Sequence, residues 1–276
     1  MTSRRPIAMA WLLLLVMHLI APPDGACAKL GSKTLDAWNK YVQLTESRIA
    51  AELDGKRGFL AIDFKNESEV AKMRSTLKNG EVWIEQLRTT ANGREIPVED
   101  GLIHHWFGSI FVPNVTLDRL LGWVQSYDQH ERYFKEVEKS KLLSRDGDTF
   151  KIYLRLVRKK VVTVHYNTEH TAVYRLHGPY QASSRSFTTR IAELTDAGTV
   201  SEHEKAVGDD SGFLWRLNSY WRFKEEDGGV FVECESVSLS RSIPFGLGWL
   251  IKGFVESIPR ESLEATLTQI RDGVHR

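Results

Sequence analysis

His104 and His105 are the first residues in this chain whose type and spacing suit metal binding or proton transfer. They fall in Leu102–Val112, a run with the composition of a β-strand. Neighbours on a strand point to opposite faces, so the two imidazoles cannot close on one ion. Packing, or a single contact to a cavity, is what that alternation allows. His165 and His170 are separated by an odd number of positions, which again splits them between faces. Glu202-His203-Glu204 sits in Thr195–Gly212, a polar, glycine-containing stretch that reads as an exposed loop with solvated side chains. Glu233 and Glu235 share one strand face, roughly 6–7 Å apart by strand rise, a spacing open to acid–base work. Two carboxylates on an exposed strand face are more commonly solvated, and that is the expectation here. The chain has no G-x-S-x-G, no phosphate-binding loop, no H-E-x-x-H and no C-x-x-C. The expected chemistry is therefore recognition: no catalytic residue, no metal and no cofactor.

Recognition has its own candidates. Ser236, Ser238 and Ser240 alternate along one face of a strand, continuing Val230, Val232 and Cys234. A line of small side chains leaves room for a ligand, the alternative being serines that face water. On the preceding strand Trp215, Leu217, Ser219, Trp221 and Phe223 alternate with Arg216, Asn218, Tyr220, Arg222 and Lys224, which puts Ser219 and Trp221 on the apolar face. Arg190 stands among mostly uncharged residues, where a buried guanidinium would hold an anionic group in a fork, or else form a structural ion pair. Trp249 and Phe254 lie on or beside the apolar stripe of a late helix, where they would line a cavity or pack in a core. The ligand-contact candidates are thus Arg190, Ser219, Trp221, Ser236, Ser238, Trp249 and Phe254.

A chain of 276 residues has length enough for a full hydrophobic core and for one or two domains. Its 42% hydrophobic and 26% charged residues are globular values, which excludes a disordered or collagen-like chain. With 37 Lys and Arg against 36 Asp and Glu there is no basic excess, hence no compositional case for a nucleic-acid partner. Eight Trp, eight Tyr and twelve Phe favour aromatic-rich strands over a helical bundle.

Residues 1–28 read as an address. Arg4 and Arg5 precede an apolar run from Ala8 to Ala21, Pro22, Pro23 and Gly25 break it, and Ala26-Cys27-Ala28 offers the small residues of a cleavage site. The run is shorter than the roughly 20 residues that span a bilayer. The expectation is a signal peptide and a secreted or periplasmic protein, with an uncleaved anchor or a lipidated Cys27 as the alternatives. Cleavage after Ala28 leaves Cys234 as the sole cysteine, so the core must hold without an internal disulfide.

Three segments position the candidates. Residues 29–99 hold a helix from Leu35 to Leu53 capped by Thr34, a short strand over Phe59–Phe64, a helix capped by Ser68 that stops at Asn79-Gly80, a strand over Glu81–Thr89 and a turn at Asn92-Gly93. Leu102–Val112 is then a strand. Thr116 caps a helix whose Leu117, Leu120, Leu121 and Val124 make one face, and strands follow through Phe150–Leu156, Val161–Leu176, Tyr180–Leu194, Trp215–Phe223 and Val230–Arg241. The last segment returns to helix, with Leu247, Leu250, Ile251, Phe254, Val255 and Ile258 on one stripe. Pro259 predicts a kink or a fresh start there.

Strand, two short helices, an antiparallel meander and a long amphipathic helix make the helix-grip order. The sequence resembles the START-like (SRPBCC) superfamily, in particular bacterial members labelled polyketide cyclases or coenzyme-Q-binding-like proteins. The resemblance lies in Val115-Thr116-Leu117-Asp118 through Tyr127-Asp128-Gln129-His130, in Phe213–Phe223 with Val232-Glu233-Cys234-Glu235-Ser236, and in Pro244–Leu250 leading into the final helix. It covers about residues 100–272. It implies an α+β fold in which a curved antiparallel sheet wraps a long C-terminal helix, with 29–99 as an N-terminal α/β extension and 100–276 as the START-like domain. It also implies a cavity for a hydrophobic small molecule or lipid, such as an isoprenoid or polyketide, bound or transferred with transient membrane contact. The alternatives are an interaction module with a filled cavity, docking a protein partner through residues 29–99, and a cofactor-free cyclase or aromatase.

Overall fold

The computed structural model describes residues 30–55, 57–159, 163–206, 209–242 and 248–275, with side chains from 257 onward in the last segment. The expected signal peptide, with Cys27, lies outside the described residues.

Helix α1 (Ser32–Asp54) opens the described chain. Thr34 lies within it, and its hydroxyl donates to the Glu99 carbonyl at 2.7 Å. The expected strand at Phe59–Phe64 is a single 3-10 turn over Ala61–Phe64, because Asp63 draws the Phe59 and Leu60 N–H groups onto its carboxylate at 3.1 and 3.0 Å. Helix α2 (Glu67–Lys78) is capped by Asn66 rather than Ser68; the Asn66 side chain accepts from the Glu69 N–H. The paired part of the next strand, β1, is Trp83–Gln86. Asn92 and Gly93 have φ of 51° and 74° and close a hairpin between β2 (Thr90–Ala91) and β3 (Arg94–Glu95).

Strand β4 (Gly101–Pro113) is followed by α3 (Leu117–Val124) and the short α4 (His130–Tyr133). The meander then runs β5 (Val137–Asp146), β6 (Thr149–Lys159), β7 (Thr163–Leu176), β8 (Gln181–Thr195), β10 (Arg216–Glu226) and β11 (Gly229–Arg241). The stretch expected to be wholly loop contains a two-residue strand, β9 (His203–Glu204), paired with β8. The chain closes with α5 (Gly248–Gly273), a single helix that continues through Pro259. Among the described residues the sheet has nine strands, in the order β1-β4-β11-β10-β8-β7-β6-β5 with β9 beside β8. This is the helix-grip arrangement in an α+β fold: one antiparallel sheet gripping the C-terminal helix on its concave side.

On that side Leu263, Leu267 and Ile270 of α5 pack against Ile110 and Val112 of β4, Phe223 of β10 and Val230 and Val232 of β11. Gly108 allows the approach, since a Cβ there would sit 2.5 Å from Leu267 Cδ1 and 3.1 Å from Leu263 Cδ2. The convex side is covered as well. Leu60, Ile62, Met73 and Leu77 close over Phe107, Phe111 and Phe231, while Trp38, Tyr41 and Ile49 of α1 close over Trp215, Tyr220, Val237 and Leu239. Trp215 therefore leaves the apolar alternation of β10 and joins the opposite layer. Residues 30–99 pack on the same sheet and contribute β1 to its edge.

Two-sided cover overturns the expectation for Glu233 and Glu235, which are 1% and 3% exposed. Glu235 takes Arg48 Nη2 of α1 at 2.5 Å and His105 Nε2 at 3.1 Å. Tyr41 accepts from the Thr89 N–H at 2.8 Å and its hydroxyl meets His105 Nδ1 at 3.0 Å, so both ring nitrogens of His105 are partnered. Burial alone would raise the Glu235 carboxyl, but His105 and Arg48 outweigh it and hold it down to about 2. Glu233 accepts from the Ala61 and Ile62 N–H groups at 2.6 and 3.2 Å. Burial dominates there and pushes it up to about 7, against the lowering pull of Arg222 and those N–H groups. Arg222 donates to the Phe59 carbonyl at 3.0 Å and pairs with Glu52, which also holds Arg48 at 2.8 Å.

Two outcomes follow from this layer. Replacing Arg48 by Met leaves the Glu235 carboxylate buried with only His105 and should cost about 2 kcal/mol, less than the roughly 3–5 kcal/mol of a fully buried pair because Arg48 is partly exposed; urea unfolding of variant and wild type measures it. For Glu233 the folded state holds a proton more tightly than the unfolded chain. Its contribution is complete below about pH 4.5 and is lost as pH rises through about 7. Glu233→Gln should remove that decline, so the wild-type-minus-variant difference in unfolding free energy should fall between pH 5 and pH 8; a constant difference would contradict the assignment.

Candidate functional site

Between the concave face and α5 lies a cavity of about 460 Å³. Its position follows from the register of three adjacent strands. One row across β8, β10 and β11 reads Ala182, Phe223, Val232, and Phe223 and Val232 fill the space under the helix. The next reads Ser184, Trp221, Cys234, and the one after that Ser186, Ser219, Ser236. Three serines side by side carry too little volume to reach α5, so the interior stays open. Ser238 and Ser240 extend the same wall, and His104 stands opposite Ser238 on β4. Ile152, Leu154 and Leu156 of β6, with Ala172 and Tyr174 of β7, supply the far wall, and Ile258, Leu263, Thr266 and Ile270 of α5 the roof.

Several polar groups of this wall are tied into the scaffold. Ser240 Oγ donates to the Arg241 carbonyl at 3.3 Å, so it accepts from His104 Nε2–H at 2.9 Å. Thr168 Oγ1 donates to the Leu154 carbonyl and accepts from His170 Nε2–H, both at 2.9 Å. His130 Nε2–H donates to the Val124 carbonyl at 2.9 Å. Burial holds all three imidazoles down to about 4, so each is neutral at pH 7. At the deep end the Tyr127 and Tyr174 hydroxyls meet at 2.8 Å, and burial pushes Tyr174 up to about 12. Arg158 pairs with Glu136 and, at 3.2 Å, with Glu261 of α5, which ties β6 to the helix.

Of the residues expected to contact a ligand, Ser219, Trp221, Ser236 and Ser238 line the cavity together. Arg190 does not. A bulge at Thr189, where the β7–β8 register steps from His170↔Thr188 to Glu169↔Arg190, exchanges the faces of β8. Arg190 is thereby turned to the outer surface, exposed and paired with Glu204. Trp249 and Phe254 lie on the backbone of α5, but their side chains are outside the described residues. The two histidine pairs divide as alternation predicts. His104 and His170 face the cavity, whereas His105 belongs to the opposite layer and His165 meets Glu138 at 2.9 Å. Glu202, expected to be solvated, accepts both Arg155 Nη atoms at 2.7 Å.

Arg158, Tyr166 and Tyr174 are wall residues that the sequence reading did not single out, and His170 was weighed there only as half of a metal pair. Their signal was parity: Arg158 continues Ile152, Leu154 and Leu156, and the other three share the even-numbered face of β7. Among the described residues no group of three or more His, Cys, Asp or Glu side chains is arranged to hold a metal ion.

No protein-family profile matches the chain, and no curated protein matches it. Solved structures do. A STAR-related lipid transfer protein of Xanthomonas axonopodis is 14% identical, over 70% of this chain and 99% of that one, with a TM-score of 0.44. A protein of Thermus thermophilus is 15% identical, over 63% and 97%, with a TM-score of 0.43. Human STARD10 is 8% identical, over 81% and 85%, with a TM-score of 0.44. At that distance they are similar in layout only. The START-like fold stands on strand order, antiparallel pairing and the place of α5.

The three cavity imidazoles make acid a specific stress. A histidine held below its ordinary value adds stability that is present above about pH 6.5 and is lost as pH falls toward about 4. His170→Gln should therefore lose less stability than wild type between pH 7 and pH 4.5, measured as the shift in urea midpoint. An equal acid loss in both proteins would show that His170 is not held neutral by the fold.

Proposed function

We propose that this protein is an exported binding or carrier protein that holds one apolar or amphipathic molecule between its sheet and its C-terminal helix. The observation that carries the reading is the cavity of about 460 Å³, walled by aliphatic and aromatic side chains and floored by serines. Filling that floor would have required only leucine or valine at Ser219 or Ser236. The volume is that of about 15 water molecules at ~30 Å³ each, which suits one acyl or isoprenoid chain or a few fused rings. Burying ~300 Å² of such a ligand supplies roughly 7 kcal/mol before association costs.

Binding fits the site better than cyclase chemistry. Proton transfer near neutral pH calls for groups that titrate there. His104 and His170 are held neutral to about pH 4, and their N–H groups are already committed to hydroxyls. A role for residues 29–99 in docking a protein partner also loses ground, because the apolar faces of α1 and α2 are buried on the sheet. Export is supported by the leader-like pattern in residues 1–28 alone.

Native mass spectrometry on protein purified without detergent tests the proposal. A discrete adduct should be released by organic extraction, and Ser236→Leu, which fills the floor, should lose it while remaining folded by circular dichroism. A bare mass, together with no binding of the apolar dye Nile red, would overturn the carrier reading.

A further inference from the structure

The cavity floor is polar where its shape does not require it to be. Ser186, Ser219 and Ser236 stand side by side on β8, β10 and β11, and Ser238 follows on β11. Alanine at these positions would leave the same room. A hydroxyl that faces an apolar space without a partner costs free energy that a methyl group does not. Among the described residues the Ser186, Ser236 and Ser238 hydroxyls have no hydrogen-bond partner, and Ser238 is only 6% exposed. The Tyr166 hydroxyl and Arg158 Nε are unpartnered too, but they are sealed inside the wall. The three serine oxygens are not sealed and open onto the cavity that they line.

The roof and the far end behave differently. Thr266 and Gln269 of α5 donate back to the Ser262 and Ala265 carbonyls at 2.8 and 2.7 Å, and the Tyr127 and Tyr174 hydroxyls meet each other. Ser219 gives the floor a direction. Its Oγ accepts from Trp221 Nε1–H at 3.0 Å, and its own proton has no acceptor among the described residues, so it is left to donate into the cavity. Register partners on neighbouring antiparallel strands stand about 4.5–5.5 Å apart. Oxygens on alternate carbons of a six-membered ring are separated by about the same distance. The row is itself uncharged, so it complements hydroxyl and keto oxygens, which exchange neutral hydrogen bonds with serines.

We infer that the serine floor is a hydrogen-bonding row for a neutral cyclic molecule that carries two or more hydroxyl or keto oxygens along one edge. The inference rests on the cavity being a binding site. It adds the chemistry of the ligand edge that meets the sheet and the residues that read it: Ser219 as donor, with Ser186, Ser236 and Ser238 beside it.

Displacement of Nile red from the purified protein provides the test, by pentylresorcinol, whose two hydroxyls sit on alternate ring carbons, and by pentylbenzene, which has none. In a purely apolar trough the less water-soluble pentylbenzene would win by about tenfold or more, because the diol would leave its hydroxyls unmet. On the serine row pentylresorcinol should compete at an equal or lower concentration. The double variant Ser186→Ala, Ser236→Ala removes a partner from either end of the row and spares the Trp221–Ser219 bond. It should weaken pentylresorcinol by about fivefold, the worth of one hydrogen bond, and tighten pentylbenzene. Circular dichroism and the urea midpoint establish that the variant is folded; losing two unpartnered hydroxyls should leave its stability equal or higher. Pentylbenzene competing about tenfold better than the diol, no displacement by the diol, or an unchanged ratio of the two in the double variant would overturn the inference while the cavity reading stands. Failure of Nile red to bind at all would overturn both.

Discussion

Strand β11 is buried on both faces, and the rest of the molecule is arranged around that fact. Its even-numbered residues from Val230 to Ser240 face the C-terminal helix and the cavity, and its odd-numbered residues from Phe231 to Leu239 face α1, α2 and the turn between them. A strand at the edge of solvent could carry Glu233 and Glu235 at little cost. Here each ion must be met inside the protein, because removing a carboxylate from water costs several kcal/mol unless hydrogen bonds and a counter-charge replace the solvent. Arg48, His105 and the Ala61 and Ile62 amides are those replacements. The N-terminal segment is thus the second wall of the domain's core, and the ion pairs give its docking a defined register on the sheet.

The two faces of β11 solve opposite problems. Toward α1 the residues are large or charged and the space is filled. Toward α5 they shrink from valine through cysteine to serine along the strand; β10 drops from Trp221 to Ser219 at the matching position, and β8 carries only Ala182, Ser184 and Ser186. The helix is held close at the Gly108 end by Leu263 and Leu267 and cannot follow the sheet where the side chains are short. The opening is therefore a consequence of side-chain volume along a fixed backbone.

Charge is partitioned in the same way. The convex layer contains Arg48, Glu52, Arg222, Glu233 and Glu235 in mutual contact or field. In the cavity wall the histidines are kept neutral by burial, and Arg158 is paired with Glu136 and Glu261. A low-dielectric interior of this kind favours apolar matter over hydrated ions.

Much of this was readable from the chain. Helix and strand periodicities located α1, α3, β6, β7, β10 and β11, and the order of elements pointed to the helix grip, because hydrophobic period follows directly from backbone geometry. The serine alternation on β11 likewise placed Ser236 and Ser238 on the inner face, with Ser219 and Trp221 beside them. What the sequence could not carry was everything that depends on contacts between distant segments. Period two tells which residues share a face but not what covers it, so Glu233 and Glu235 read as solvated until α1 and the Ala61 turn were seen to close over them. Nor does alternation survive a bulge: one extra residue at Thr189 turned Arg190 from the interior to the surface. Local pattern was set by the residues themselves; burial, pairing and charge state were decided only when the N-terminal helices and the sheet came together, because desolvation is a property of the neighbours and not of the residue.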